Sequence, residues 1–152
     1  AESERELAQI REELTEQGYL RKQKGKQRPQ SALPPLEFTS SDGFKILVGR
    51  NNTQNDKLTL KIANKNDMWL HTKDIHGSHT VVFAEGREIS DTAILEAAQL
   101  AAYYSKARES SQVPVDYTLV RYVSKPSGAR PGMVIYVNNK TVYVTPKANI
   151  SE

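Results

Sequence analysis

The stretch Asp67-Met68-Trp69-Leu70-His71-Thr72-Lys73-Asp74-Ile75-His76-Gly77-Ser78-His79 holds the only tryptophan and all three histidines of the chain. If residues 67–73 form a strand, their side chains alternate between two faces. Asp67, Trp69, His71 and Lys73 then share one face, and Met68 and Leu70 share the core-facing one. The first face combines an indole, a cation, an imidazole and an acid. That set suits a nucleotide: the ring stacks a base, the lysine meets phosphate, and His and Asp hydrogen-bond base or ribose. The competing reading packs Trp69 beneath a long helix and leaves the polar residues as ordinary edge groups. His71, His76 and His79, with Asp67, also raise a metal site. Their spacing matches no helical zinc motif, because His76 falls in a turn and His79 starts the next strand. No metal and no cofactor are therefore expected.

Gly49-Arg50-Asn51-Asn52-Thr53-Gln54-Asn55-Asp56 is the second candidate. It joins a strand to a helix and is dense in amides, so its backbone N–H groups can meet an anion. Arg50 would add a phosphate fork. Alternatively, Asn52 or Asn55 merely caps the helix. It is not a P-loop, because the Gly-Lys-Ser/Thr ending is missing. The loop Lys125-Pro126-Ser127-Gly128-Ala129-Arg130-Pro131-Gly132 is the third. Its two cations can touch a backbone phosphate, or the loop is a solvated connection. Tyr103, Tyr104, Lys106 and Arg108 give the long helix a similar mix, although such tyrosines usually pack. No Ser-His-acid order and no carboxylate pair can be argued from spacing, so an enzyme is not expected.

These residues need a scaffold, and the rest of the chain supplies its pattern. The chain has 152 residues and no cysteine, which excludes a disulfide framework, a thiol nucleophile and a Cys-ligated metal. No apolar run approaches the ~20 residues that span a bilayer, so no membrane insertion is expected. The net charge of +3 is unevenly spread. Residues 1–16 carry six acids against Arg5 and Arg11, a net −4. Arg21, Lys22, Lys24, Lys26 and Arg28 then give +5 with no acid before residue 36. The remaining residues balance to +2.

Leu7, Ile10 and Leu14 recur at helical spacing, so residues 1–17 read as the end of a coiled-coil helix whose partner strand is missing. Residues 18–35 have linker composition. The chain begins at Ala1 rather than Met and is expected to be cut from a longer protein. Residues 36–148 alternate strand and helix signals. Strands are expected at Leu36–Ser40 and Phe44–Arg50, Asp67–Lys73 and Ser78–Ala84, and Val115–Val123. Helices are expected from Asn51 to Ala63, with Leu58 and Ile62 on one face, and from Ser90 or Asp91 to Arg108. The long helix has Ile94, Leu95, Ala98, Ala101 and Ala102 as its apolar face. Met133–Val137 and Thr141–Thr145 read as a hairpin over Asn138-Asn139-Lys140. The order ββαββαβββ implies an α+β domain with a mostly antiparallel sheet and two helices.

Val48-Gly49-Arg50-Asn51-Asn52 with Gln54-Asn55-Asp56, Asp67 to Ile75, and Gly77-Ser78-His79 resemble the NFACT-R domain. Ala101 to Arg108, Val115-Asp116-Tyr117-Thr118 and Gly128-Ala129-Arg130-Pro131-Gly132 continue the likeness in order, from about Leu36 to Pro146. The residues before them resemble the end of that family's coiled-coil region, as in RqcH/NEMF-like proteins of the bacterial fibronectin-binding protein A family. The resemblance implies RNA binding in ribosome-associated quality control, with tRNA and the large ribosomal subunit as partners and a cytoplasmic location. It implies a second role too, because Gram-positive members, streptococcal ones included, are described as anchorless surface adhesins that bind fibronectin. His76 departs from the pattern, where a proline is expected; the turn before Gly77 is loosened and gains a pH-sensitive group. Arg50, Asn52, Trp69, His71, Lys73, His79, Lys125 and Arg130 are therefore the candidate RNA-facing set.

Overall fold

Leu36–Thr39 (β1) and Lys45–Val48 (β2) form the expected hairpin, with Leu36 opposite Val48 and Thr39 opposite Lys45. Gly43 at φ +94° closes its turn, a left-handed conformation that glycine adopts without a Cβ clash. The protein is described here by a computed structural model covering residues 33–148. The coiled-coil helix expected at 1–17 lies outside the described residues, as does most of the linker expected at 18–35.

The remaining elements are Asn52–Lys57 (α1), Met68–Thr72 (β3), Thr80–Val82 (β4) and Asp91–Tyr103 (α2). Val113–Leu119 (β5), Val123–Ser124 (β6), Ile135–Tyr136 (β7) and Lys140–Val144 (β8) complete the order. Six strands pair as β1-β2-β4-β3-β5-β8, every neighbour antiparallel, while β6 and β7 form a separate ribbon. The chain is α+β, with two helices on a mostly antiparallel sheet, as its alternating patterns imply.

Both faces of the sheet are covered. Helix α2 packs on the first through Ala93, Ala97, Ala98, Leu100, Ala101 and Ala102. Those alanines let its axis approach Ile46, Val48, Leu70, Val82, Val113 and Val115 closely. Each fully buried Leu, Ile or Val there contributes about 1.5–3 kcal/mol of transfer free energy. Ser90 caps α2, its side chain accepting from the Ala93 N–H at 3.0 Å. On the second face Leu47, Leu58, Trp69, Val81, Phe83, Val120 and Val123 form another core, closed by Val134 and Tyr136 of the ribbon.

The structure departs from the sequence reading at four places. The expected Met133–Val137 and Thr141–Thr145 hairpin is not formed: β7 pairs with β6 and β8 pairs with β5. Asn138 does turn the chain at φ +58°, but it sends the two strands into different sheets. Helix α2 stops at Tyr103, five residues short of Arg108, because the Ser78 N–H bonds the Tyr104 carbonyl and the Lys106 N–H bonds the His76 carbonyl. Leu95 of its expected apolar face is 45% exposed, while Ala97 and Leu100 take the core positions. After α1 the chain widens into a π-helical stretch, Leu58–Ile62, so Leu58 is buried and Ile62 is turned outward. Finally, Val123 leaves β5 through a 3₁₀ turn, Val120–Tyr122, and begins the ribbon.

Candidate nucleic-acid interface

Strand β3 alternates as expected, but its second face is a core and not an open platform. Trp69 is 1% exposed, so it cannot stack a base as the sequence reading proposed. It does not sit beneath α2 either. Its ring lies on the opposite face, 4.6 Å from Tyr136 and 5.8 Å from His71, which stacks nearly parallel at 4°. The Trp69 Nε1 is buried without a hydrogen-bond partner among the described residues. His79 is likewise 1% exposed and packs edge-on against Trp69 at 5.4 Å. Both are corrected from RNA contacts to supports.

His79 has a defined bonding pattern. Its Nε2–H donates to the Gly132 carbonyl at 3.1 Å, and its Nδ1 accepts from the Thr59 hydroxyl at 2.8 Å. Burial, then the neighbouring His71, push its pKa down to about 4. His71 is half-buried between two carbonyls, Thr72 O at 2.7 Å and Gly77 O at 3.2 Å. Burial lowers its pKa, and the two carbonyl acceptors oppose that shift. His76 is exposed on the turn. Among the described residues no three of His, Asp or Glu gather as a metal-ligand set. Asp67 is spent on structure: its carboxylate accepts from the Asn64 and Ala84 N–H groups at 2.7 and 2.9 Å.

The loop after β6 is fastened to α1. Lys125 Nζ lies 3.2 Å from Asp56 and donates to the carbonyls of Arg130 and Met133. The Gly132 N–H donates to Asp56 at 2.9 Å. Gly132 also presses on Asn52, where an added Cβ would sit 2.7 Å from the side-chain oxygen. Lys125 is therefore a clamp, whereas Arg130 is exposed and has no carboxylate partner among the described residues. Lys73 stands apart, 3.9 Å from the buried Asp116, which also accepts from the Tyr136 and Thr141 hydroxyls at 2.6 Å.

The open feature lies on the other side of the 49–55 turn. A cleft of about 300 Å³ is walled by Arg50 to Asn52 and Asn55, by His76 to Ser78, and by Tyr104 to Lys106 with Arg108. None of its lining residues is an acid. Arg50, Lys106 and Arg108 make no ion pair among the described residues. Arg50 Nε donates to the Pro34 carbonyl, and Arg108 Nε donates to the Tyr103 carbonyl while the guanidinium lies over the Tyr103 ring at 4.3 Å. Among the described residues neither fork spends its terminal nitrogens on another side chain. Uncompensated cations in a concave site concentrate field and attract anions.

Close backbone approach builds this cleft. At Gly49 an added Cβ would fall 1.9 Å from Asn55 Oδ1, and at Gly77 it would fall 2.8 Å from Ser105 Cβ. Asn51 caps α1, its Oδ1 accepting from the Gln54 N–H at 2.9 Å, and Asn55 Oδ1 accepts from the His79 N–H at 3.2 Å. Of the candidate set, the structure gathers Arg50 and Asn52 at the cleft, with the Lys125–Arg130 loop docked beside Asn52. It leaves Lys73 elsewhere, and it places Trp69, His71 and His79 beneath the turn as its support. Lys106 and Arg108 were visible only as a cationic mix on a helix, and Ser78 and Ser105 carried no signal of their own.

A family model described as the NFACT protein RNA binding domain matches residues 35–138. The chain belongs to this family. It is 51% identical over 150 residues to the Rqc2 homolog RqcH of Bacillus subtilis, covering 97% of this chain and 26% of that protein. It is 46% identical over 142 residues to the Rqc2 homolog RqcH of Streptococcus suis, covering 93% and 25%. Among solved structures, the C-terminal part of the fibronectin/fibrinogen-binding protein from Streptococcus suis aligns with a TM-score of 0.75 at 46% identity. That alignment covers 91% of this chain and 55% of the other. The NFACT RNA-binding chain thus spans about a quarter of the length of the curated relatives it matches. Among the described residues no helix is long and apolar enough to cross a membrane.

Proposed function

We propose that residues 36–148 bind RNA through the cleft, with Arg50, Lys106 and Arg108 on backbone phosphates and Asn52 and Arg130 extending the surface. The observation that carries this is three cations with no carboxylate partner among the described residues, around a concavity that no acid lines. Phosphate contacts position an RNA, and single-stranded segments offer the exposed groups a cleft can reach. In the parent protein the RNA partners are tRNA and the large ribosomal subunit, and the setting is ribosome-associated quality control in the cytoplasm. The family match and the RqcH relatives support that reading. The test is tRNA filter binding across a salt series. Arg50→Ala, Lys106→Ala and Arg108→Ala should each weaken binding and reduce the log–log salt slope by about one. Unchanged affinity and slope in all three would overturn the assignment.

A second reading, fibronectin binding, rests on a different surface. Met133, Ile135 and Val137, in and around β7, are 51%, 57% and 57% exposed, alternating with Val134 and Tyr136, which pack on the core. The likeness to the streptococcal fibronectin/fibrinogen-binding protein is what raises this reading. Saturable binding of fibronectin at physiological salt, abolished by Ile135→Asp, would support it; binding that moderate salt removes would reduce it to charge attraction.

A further inference from the structure

We propose that the cleft admits one unpaired RNA nucleotide and favours a base with an oxygen at O4 or O6 in place of an amino group, uracil or guanine. This rests on the RNA-binding reading above and sharpens it. Two amides at the cleft have their orientation set by the backbone. Asn51 Oδ1 accepts from the Gln54 N–H, and Asn55 Oδ1 accepts from the His79 N–H. A backbone N–H can only donate, so the facing atom of each amide must be its oxygen. The Nδ2 groups of Asn51 and Asn55 are thereby left as donors, and neither bonds another described residue. Asn55 is 3% exposed and yet lines the cleft. An NH2 group that lines a cleft and meets no acceptor among the described residues is a donor available to a ligand acceptor.

Phosphate alone explains Arg50, Lys106 and Arg108, but not the two amides that line the cleft with them. The O4 of uracil and the O6 of guanine are acceptors, whereas adenine, which shares only the N7 acceptor with guanine, turns an NH2 toward the same donors. The cavity, about 300 Å³, is at the small end of ligand sites, the scale of a single nucleotide and not of a helix. Tyr104 and the Arg108 guanidinium offer planes on which a splayed base can stack. In a duplex the base edges are paired and stacked, and only phosphates could reach the site.

The experiment titrates the intact chain with short single strands of only uridine or only adenosine, and with a blunt duplex of equal phosphate count, at fixed salt. Uridine strands should bind about tenfold more tightly than the duplex, with adenosine strands between. Asn55→Asp keeps the acceptor for the His79 N–H and removes the donor, so it should abolish the uridine-over-adenosine ratio. If circular dichroism shows that Asn55→Asp fails to fold, Asn51→Asp makes the same exchange at a cap where Asp is well tolerated. Equal affinity for all three RNAs, or an unchanged ratio in the folded Asp variant, overturns the nucleotide pocket while leaving RNA binding intact. Absence of binding to any RNA overturns both.

Discussion

Acidification should unfasten this domain well above the pH at which its carboxylates titrate. His79 is the cause. Its ring is 1% exposed, bonded by Nε2–H to the Gly132 carbonyl and by Nδ1 to Thr59, and its pKa is pushed down to about 4 from the ordinary 6.5. The unfolded chain takes up the proton near 6.5; the folded chain resists until about 4. A lowered pKa on a base means that protonation favours the unfolded state. Stability is therefore complete above 6.5 and declines as pH falls toward 4. The full gap is worth about 3 kcal/mol, and about 2 kcal/mol of it is gone by pH 5. His71, whose pKa burial also lowers, adds to the loss with the same sign. Most carboxylates are still ionised at pH 5, which isolates the histidine contribution. Urea unfolding at pH 7, 6 and 5 measures the loss, and the NMR titration of the His79 ring measures its cause. His79→Gln, which can still donate to Gly132, should be less stable at pH 7 but nearly flat across the series. A wild-type stability that does not change between pH 7 and 5, or a His79 midpoint above 6, would refute the reasoning.

Other substitutions probe the packing beneath the cleft. Gly77→Ala forces a Cβ to 2.8 Å from Ser105 Cβ and 2.9 Å from Thr72 Oγ1; a loss of about 1–3 kcal/mol is expected in denaturant unfolding, with weaker tRNA binding at equal salt. Ser90→Ala removes the cap of α2 and should cost about 1 kcal/mol, seen as a lower melting temperature with no change in RNA salt slope. Tyr136→Phe leaves one oxygen of the buried Asp116 with only Lys73 at 3.9 Å, for an expected cost of about 1–3 kcal/mol by urea titration. Tyr136 itself should resist ionisation in a spectroscopic alkaline titration, because burial and then Asp116 raise its pKa above 10.

Local rules carried far along this chain. The Ser41-Asp42-Gly43 turn predicts the β1–β2 hairpin because only short-range geometry is involved. Alternation along β3 predicts that Trp69 and His71 share a face opposite Met68 and Leu70, and they do. The Ser90 cap and the alanines of α2 are equally local. The family resemblance needed only the order of the motifs, and the match over residues 35–138 agrees with it. What failed was the reading of which surfaces Trp69 and the last strands meet. Trp69 looked like a platform, since nothing in its own strand reports that Tyr136, 67 residues later in the chain, closes over it. Thr141–Thr145 looked like the mate of Met133–Val137 because adjacency favours hairpins, yet β5 supplies a longer pairing, Val113 with Val144 through Tyr117 with Lys140.

The cleft shows the same division most plainly. Arg50 and the amides behind it are visible as residues suited to an anion, and Tyr104, Lys106 and Arg108 only as a cationic, aromatic mix on a helix. Their convergence is decided by contacts between segments far apart in the chain. Gly77 meets Ser105, the Ser78 N–H meets the Tyr104 carbonyl, and the His79 N–H turns the Asn55 amide so that its nitrogen is left for a ligand. Residue types set what each side chain can bind, but one buried backbone donor chooses which end of an amide the cleft presents.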